Sequence, residues 1–121
     1  MTIVADTPMP VDVVGVTLGV DTHADTHVAA VIDPLGRHLG QASFDTTIAG
    51  FKALLAWANE FGPITLAGVE GTGAYGAGLA RFLTAEAVTV VEVDRPDRKT
   101  RHTEGKSDPI DAYAAARAAA S

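Results

Sequence analysis

The stretch Val14 to Asp21, VGVTLGVD, is an apolar run broken only by Thr17 and two glycines, and it ends in a carboxylate. A run of this kind suits a strand buried on both faces at the centre of a sheet. Open α/β sheets place their ligands just outside the strand ends. Asp21 is therefore a candidate for chemistry, although Asp is also an ordinary turn residue.

Downstream, the polar segment Asp21 to His27 (DTHADTH) turns the chain into a second apolar run, His27 to Asp33, giving an antiparallel hairpin. Asp33, Pro34, Leu35 and Gly36 make a further turn. His38 to Phe44 then alternates, with Leu39, Gln41 and Ser43 set against Gly40, Ala42 and Phe44, as a third strand does. Asp45, Thr46 and Thr47 supply N-cap chemistry. In the helix that follows, Ile48, Phe51, Leu54, Leu55, Ala58 and Phe61 form one apolar face, and Gly62 and Pro63 stop it.

Ile64 to Val69 reads as a fourth, buried strand that delivers Glu70 as the first delivers Asp21. The glycine-rich segment Gly71 to Gly78 leads into a helical pattern with Tyr75, Leu79, Phe82 and Leu83 on one side. Thr89 to Val93 is the fifth strand, and a basic loop spans Asp94 to Lys106. Ser107 to Ala120 is helical, with Asp108 as N-cap, Pro109 at the first position and Asp111 at the third. Upstream, residues 1–13 carry Pro8 and Pro10 among small residues and read as a flexible leader to a domain over 14–121.

A three-strand meander followed by right-handed parallel crossovers gives an α/β fold. It is a five-stranded mixed sheet, order 3-2-1-4-5, flanked by helices. That is the ribonuclease H-like layout.

At 121 residues and 47% hydrophobic, the chain has room for one domain with a real core. It contains no cysteine, which excludes disulfides and zinc-thiolate sites. No apolar run approaches the roughly 20 residues that span a bilayer, and no signal peptide is visible, so a cytoplasmic location and no membrane partner are expected. The formal net charge of -6 argues against gripping nucleic acid by overall charge. Local charge differs: Arg95, Arg98, Lys99, Arg101 and Lys106 crowd one loop, beside His102. Such a run is either a solvated loop or a nucleic-acid contact.

In the layout above, the first and fourth strands are parallel neighbours, so Asp21 and Glu70 emerge side by side. Asp108 and Asp111, three apart at a helix start, can point to one side of it. Two carboxylates about 5 Å apart repel by roughly 3 kcal/mol at an effective dielectric near 20. Four sharing one place call for positive charge, and Mg²⁺, with Mn²⁺ as substitute, is the natural occupant for hard oxygen ligands. A metal pair can activate a nucleophile and stabilise the leaving oxygen of a phosphodiester. The plainer reading, in which Asp108 and Asp111 only cap a helix, leaves Asp21 and Glu70 unexplained.

His23 and His27 read as turn or surface residues, with His23 the one expected to face the acidic site. The glycines of 71–78 either cradle a phosphate or let helix and strand pack tightly. Trp57 and Phe82 read as core, and Tyr113 as a helix-face residue.

Three strings, Gly19 to His27 (GVDTHADTH), Gly68 to Gly76 (GVEGTGAYG) and Asp94 to Ala112 (DRPDRKTRHTEGKSDPIDA), closely resemble the N-terminal domain of the DEDD transposases of the IS110 group. The resemblance covers nearly all of the chain after the leader. It implies a RuvC-like domain whose four acidic residues match Asp21, Glu70, Asp108 and Asp111. It also implies DNA cleavage and rejoining, a structured guide RNA, assembly from several subunits and a C-terminal serine domain that this sequence does not include. Ala24 and Tyr113 stand where the family commonly has a basic and an acidic residue.

The expected function is therefore the metal-dependent catalytic domain of a DNA transposase, with Arg95 to Lys106 on the nucleic-acid backbone. A truncated, non-catalytic remnant that keeps nucleic-acid binding or self-association is the alternative. Half of a sugar-kinase or actin-like ATPase shares the strand order, but it needs a second half and an adenosine site that the sequence lacks.

Overall fold

The computed structural model describes residues 15–93 and 108–121, with the backbone alone described for 108–111. The expected leader and the basic stretch Arg95 to Lys106 lie outside the described residues. The strands are β1 (Val16–Thr22), β2 (Thr26–Ile32), β3 (His38–Asp45), β4 (Ile64–Glu70) and β5 (Val90–Val93). The helices are α1 (Ile48–Asn59), α2 (Ala77–Ala85) and α3 (Asp108–Ala120). The strands form one sheet in the order β3-β2-β1-β4-β5. β1–β2 and β2–β3 are antiparallel, while β1–β4 and β4–β5 are parallel. This is the ribonuclease H-like arrangement that the sequence pattern predicts.

β1 is buried along its whole length, as its apolar run requires. It lies between Val16 and Thr22, two residues later at its start and one at its end than the stretch that suggests it. Leu18 and Val20 enter a core with Val31, Phe51, Leu54 and Leu79, roofed by α1 and α2. β3 shows the expected alternation, with Gly40, Ala42 and Phe44 half-buried.

α1 starts where the cap residues place it: Thr47 is extended, and its hydroxyl accepts the Gly50 N–H at 3.0 Å. Its stripe differs from the expected one at the first residue. Ile48 is 58% exposed, because the helix reaches the core only at Phe51. Trp57 and Phe82 are half-buried against that core, as expected.

Tyr75 is not on α2. Residues 71–76 form a separate turn closed by the Gly71 carbonyl, which accepts N–H groups from Ala74 and Gly76 at 2.9 Å each, and the helix begins at Ala77.

The opposite sheet face carries α3, in an approach closer than ordinary side-chain packing. A Cβ on Gly19 would collide with the carbonyl oxygen of Ala112 and the backbone of Ala116. One on Gly68 would stand 2.6 Å from the Ala115 oxygen and 2.7 Å from the Ala119 Cβ. Gly19 and Gly68 are register partners across β1 and β4. Glycine here makes a flat floor on which an alanine helix rests backbone to backbone. On the flank of α3, the Tyr113 ring stacks on His38 of β3 with centroids 3.6 Å apart, and Arg117 lies 3.3 Å from His38 Nε2.

Candidate functional site

Strand parity decides what shares a face. Side chains alternate along a strand, so Asp21 projects to the same side as Gly19, and Glu70 to the same side as Gly68. Both glycines lie under α3, so both carboxylates sit on the α3 face. Val20 pairs with Val69 across the parallel β1–β4 ladder, and one rung further on Asp21 adjoins Glu70. Adjacent strands are about 4.8 Å apart, which sets the spacing of the two backbones. Ala112, whose oxygen lies over Gly19, directly follows Asp111 in sequence. The first turn of α3 thereby brings the backbone of Asp108 and Asp111 to this side of the sheet. Among the described residues no three metal-ligating side chains converge, and the side chains of Asp108 and Asp111 lie outside that description.

Asp21 is 1% exposed. His23 Nε2 lies 3.2 Å from its Oδ2 with the imidazole 37% exposed, so His23 faces the acidic site as expected. The turn that carries His23 is tied down twice. Its N–H donates to the Thr26 carbonyl at 3.0 Å, and its own carbonyl accepts the Thr46 hydroxyl at 3.2 Å. Thr22 Oγ1 donates to the Glu70 carbonyl at 2.8 Å and cross-links the ends of β1 and β4.

His27 corrects the sequence reading. It is neither a turn nor a surface residue but lies inside β2, fully buried, its ring stacked on Phe51 at 5.7 Å. Nδ1 is 3.4 Å from Thr46 Oγ1, and Nε2 has no hydrogen-bond partner among the described groups. Burial makes the charged imidazolium unfavourable and holds the pKa of His27 below its ordinary value. Through Thr46, His27 underpins the turn that presents His23.

The two floor glycines were also missed, although a signal was present. Gly-Val-acid occurs twice, as Gly19-Val20-Asp21 and Gly68-Val69-Glu70. Each tripeptide places a flat position and a carboxylate on one face, two residues apart.

Comparison with known proteins gives one family and a set of similar folds. The family model for the IS110 DEDD transposases, described as "Transposase", matches residues 18–121. No curated protein sequence matches the chain. The fowlpox virus Holliday junction resolvase superposes with a TM-score of 0.52 at 10% identity, covering 84% of this chain and 94% of the viral one. The fowlpox virus resolvase in complex with its substrate Holliday junction DNA gives 0.54 at 12% identity, covering 84% and 91%. At such identities these two structures are alike in fold. The family match spans both strand-end carboxylates and all of α3, and by it the chain belongs to the IS110 group of DEDD transposases.

Proposed function

We propose that this chain is the metal-dependent catalytic domain of a DNA transposase, which cleaves DNA phosphodiesters and transfers strands. The observation that carries this is the pair Asp21 and Glu70, ending adjacent parallel strands on the sheet face that α3 covers. Asp21, Glu70, Asp108 and Asp111 would be the catalytic ligands of Mg²⁺, or of Mn²⁺ in its place. The donor set fits: carboxylate oxygens are hard ligands, and a buried carboxylate such as Asp21 is stabilised by a cation at its oxygens. Bound metal would supply Lewis-acid activation of the phosphodiester and of the attacking group.

The protein's own residues prepare that site. Thr22 holds the two strand ends together, and His23 orients the Asp21 carboxylate. Arg95, Arg98, Lys99, Arg101 and Lys106 lie between β5 and α3 in sequence and would contact the DNA backbone, offsetting the acidity around them. A guide RNA and a homo-oligomeric assembly belong to the same reading. The described residues contain no helix long and apolar enough to cross a membrane. A cytoplasmic location is part of the proposed reading as a DNA transposase.

Calorimetric titration of Mg²⁺ and Mn²⁺ into the protein, beside the double variant Asp21→Asn, Asp108→Asn, tests the site. Binding by the wild type that disappears in the variant is expected, followed by metal-dependent cleavage of branched DNA. Equal binding by both proteins would overturn the assignment. Binding of DNA without cleavage would favour the remnant.

A further inference from the structure

Every Phe, the single Trp and Tyr113 are buried or half-buried, and each takes part in a ring contact. Tyr75 differs. It is 59% exposed and stacks on no ring among the described residues. A lone exposed aromatic needs no explanation in general. What calls for one here is its position and the way the base of its turn is seated.

The turn 71–76 follows Glu70 directly. Gly76, next to Tyr75, is buried, and a Cβ there would stand 2.9 Å from the carbonyl oxygens of Glu70 and Gly71 and 3.1 Å from Thr22 Cγ2. The base of the turn thus packs onto the ends of β1 and β4, where Asp21 is the penultimate residue of one strand and Glu70 the last of the other. Its tip opens outward: Gly73 and Ala74 are exposed, and no atom of the described residues lies within 4 Å of the place a Cβ on Gly73 would take. A turn closed at its base thus holds a phenol ring, exposed among the described residues, at the carboxylate end of the sheet.

We propose that Tyr75 is a stacking platform for an unpaired nucleobase of the DNA strand brought to Asp21 and Glu70, an inference that rests on the function proposed above. The chemistry selects this occupant. Carboxylates repel the phosphates of an approaching strand but not the face of a neutral base, so a ring contact is a grip that the acidic end can offer. Every base has such a face, so the contact tolerates any sequence. It requires that the base be out of its stack, and it therefore favours branched, bulged or single-stranded DNA over continuous duplex.

The test uses DNA carrying 2-aminopurine in a bulge, with Ca²⁺ to prevent turnover, against the wild type, Tyr75→Phe and Tyr75→Ala. Circular dichroism of the three proteins serves as the folding control. Wild type and Tyr75→Phe are expected to quench the probe. Tyr75→Ala is expected to lose the quenching and to bind bulged DNA about tenfold more weakly, with equal binding of uninterrupted duplex by all three. Quenching by Tyr75→Ala equal to wild type, or its loss in Tyr75→Phe, would overturn the proposal while leaving the proposed function standing. A wild type that binds no DNA of either form would overturn both.

Discussion

Gly19 and Gly68 face each other across the parallel β1–β4 ladder, and the backbone of α3 rests on both. Substituting Gly19→Ala places a methyl group against the Ala112 oxygen and the Ala116 backbone, neither of which can rotate away. The expected cost is about 1–3 kcal/mol, the range for overpacking a close-packed interior. Urea denaturation measures it, and an unchanged midpoint would mean that α3 rides higher than described.

Asp21→Asn keeps the shape of the buried side chain and removes its charge. Metal affinity is expected to fall by more than about 10–100-fold, the loss typical of removing even an outer-shell partner. The fold should survive, because His23 Nε2, 3.2 Å from Asp21 Oδ2, can still hydrogen-bond to an amide. Calorimetry together with a thermal melt separates the two effects, and a variant that binds metal as the wild type does would remove Asp21 from the site.

The pH dependence of stability should have two separate windows. His27 has a folded pKa below its ordinary 6.5, owing first to burial. The unfolded chain therefore takes up a proton before the folded one does, and stability falls as pH drops below about 6.5 towards the folded value. Asp33 is shifted down from 3.8, chiefly because its carboxylate accepts the Arg37 N–H, at 2.8 Å. Its contribution is present above 3.8 and is lost as pH falls through the folded pKa. Urea midpoints from pH 7.5 to 3 should show the upper window disappear in His27→Phe and the lower one persist.

Thr47→Ala removes the hydroxyl that accepts the Gly50 N–H at 3.0 Å. A loss of about 1 kcal/mol is expected from an N-cap of this kind. Chemical denaturation measures it, and no change would indicate that Thr46 or water takes over the cap.

How much of this was legible follows from which rule each residue obeys. The strand order could be read because alternating and continuous apolar runs differ in period from the Phe51, Leu54, Ala58 stripe. Asp21 and Glu70 were visible because each closes such a run. Ile48 has the phase of the α1 stripe but stands before the helix meets the core, and phase carries no information about where a helix enters its neighbours. Tyr75 fell into a helical pattern because periodicity cannot register that the Gly71 carbonyl closes a turn first. His27 was misplaced for a related reason. It closes the polar string DTHADTH and opens the apolar run that follows, so its polarity reads as turn, and its pairing with Thr22 and Phe44 is what places it inside β2.

The alanine-on-glycine seam under α3 has a thermodynamic consequence. A methyl group buries little apolar area, each worth roughly 0.8 kcal/mol, so a helix seated by Ala112, Ala115 and Ala116 is held less firmly than one seated by leucines. The stacked Tyr113–His38 pair is its one aromatic fastening among the described residues. α3 is thereby suited to be a local opening unit, exchanging its amide hydrogens well before the sheet does. Its first turn carries Asp108 and Asp111, so in the proposed site each opening event would take the backbone of those two residues away from Asp21 and Glu70 while the strands beneath stay folded.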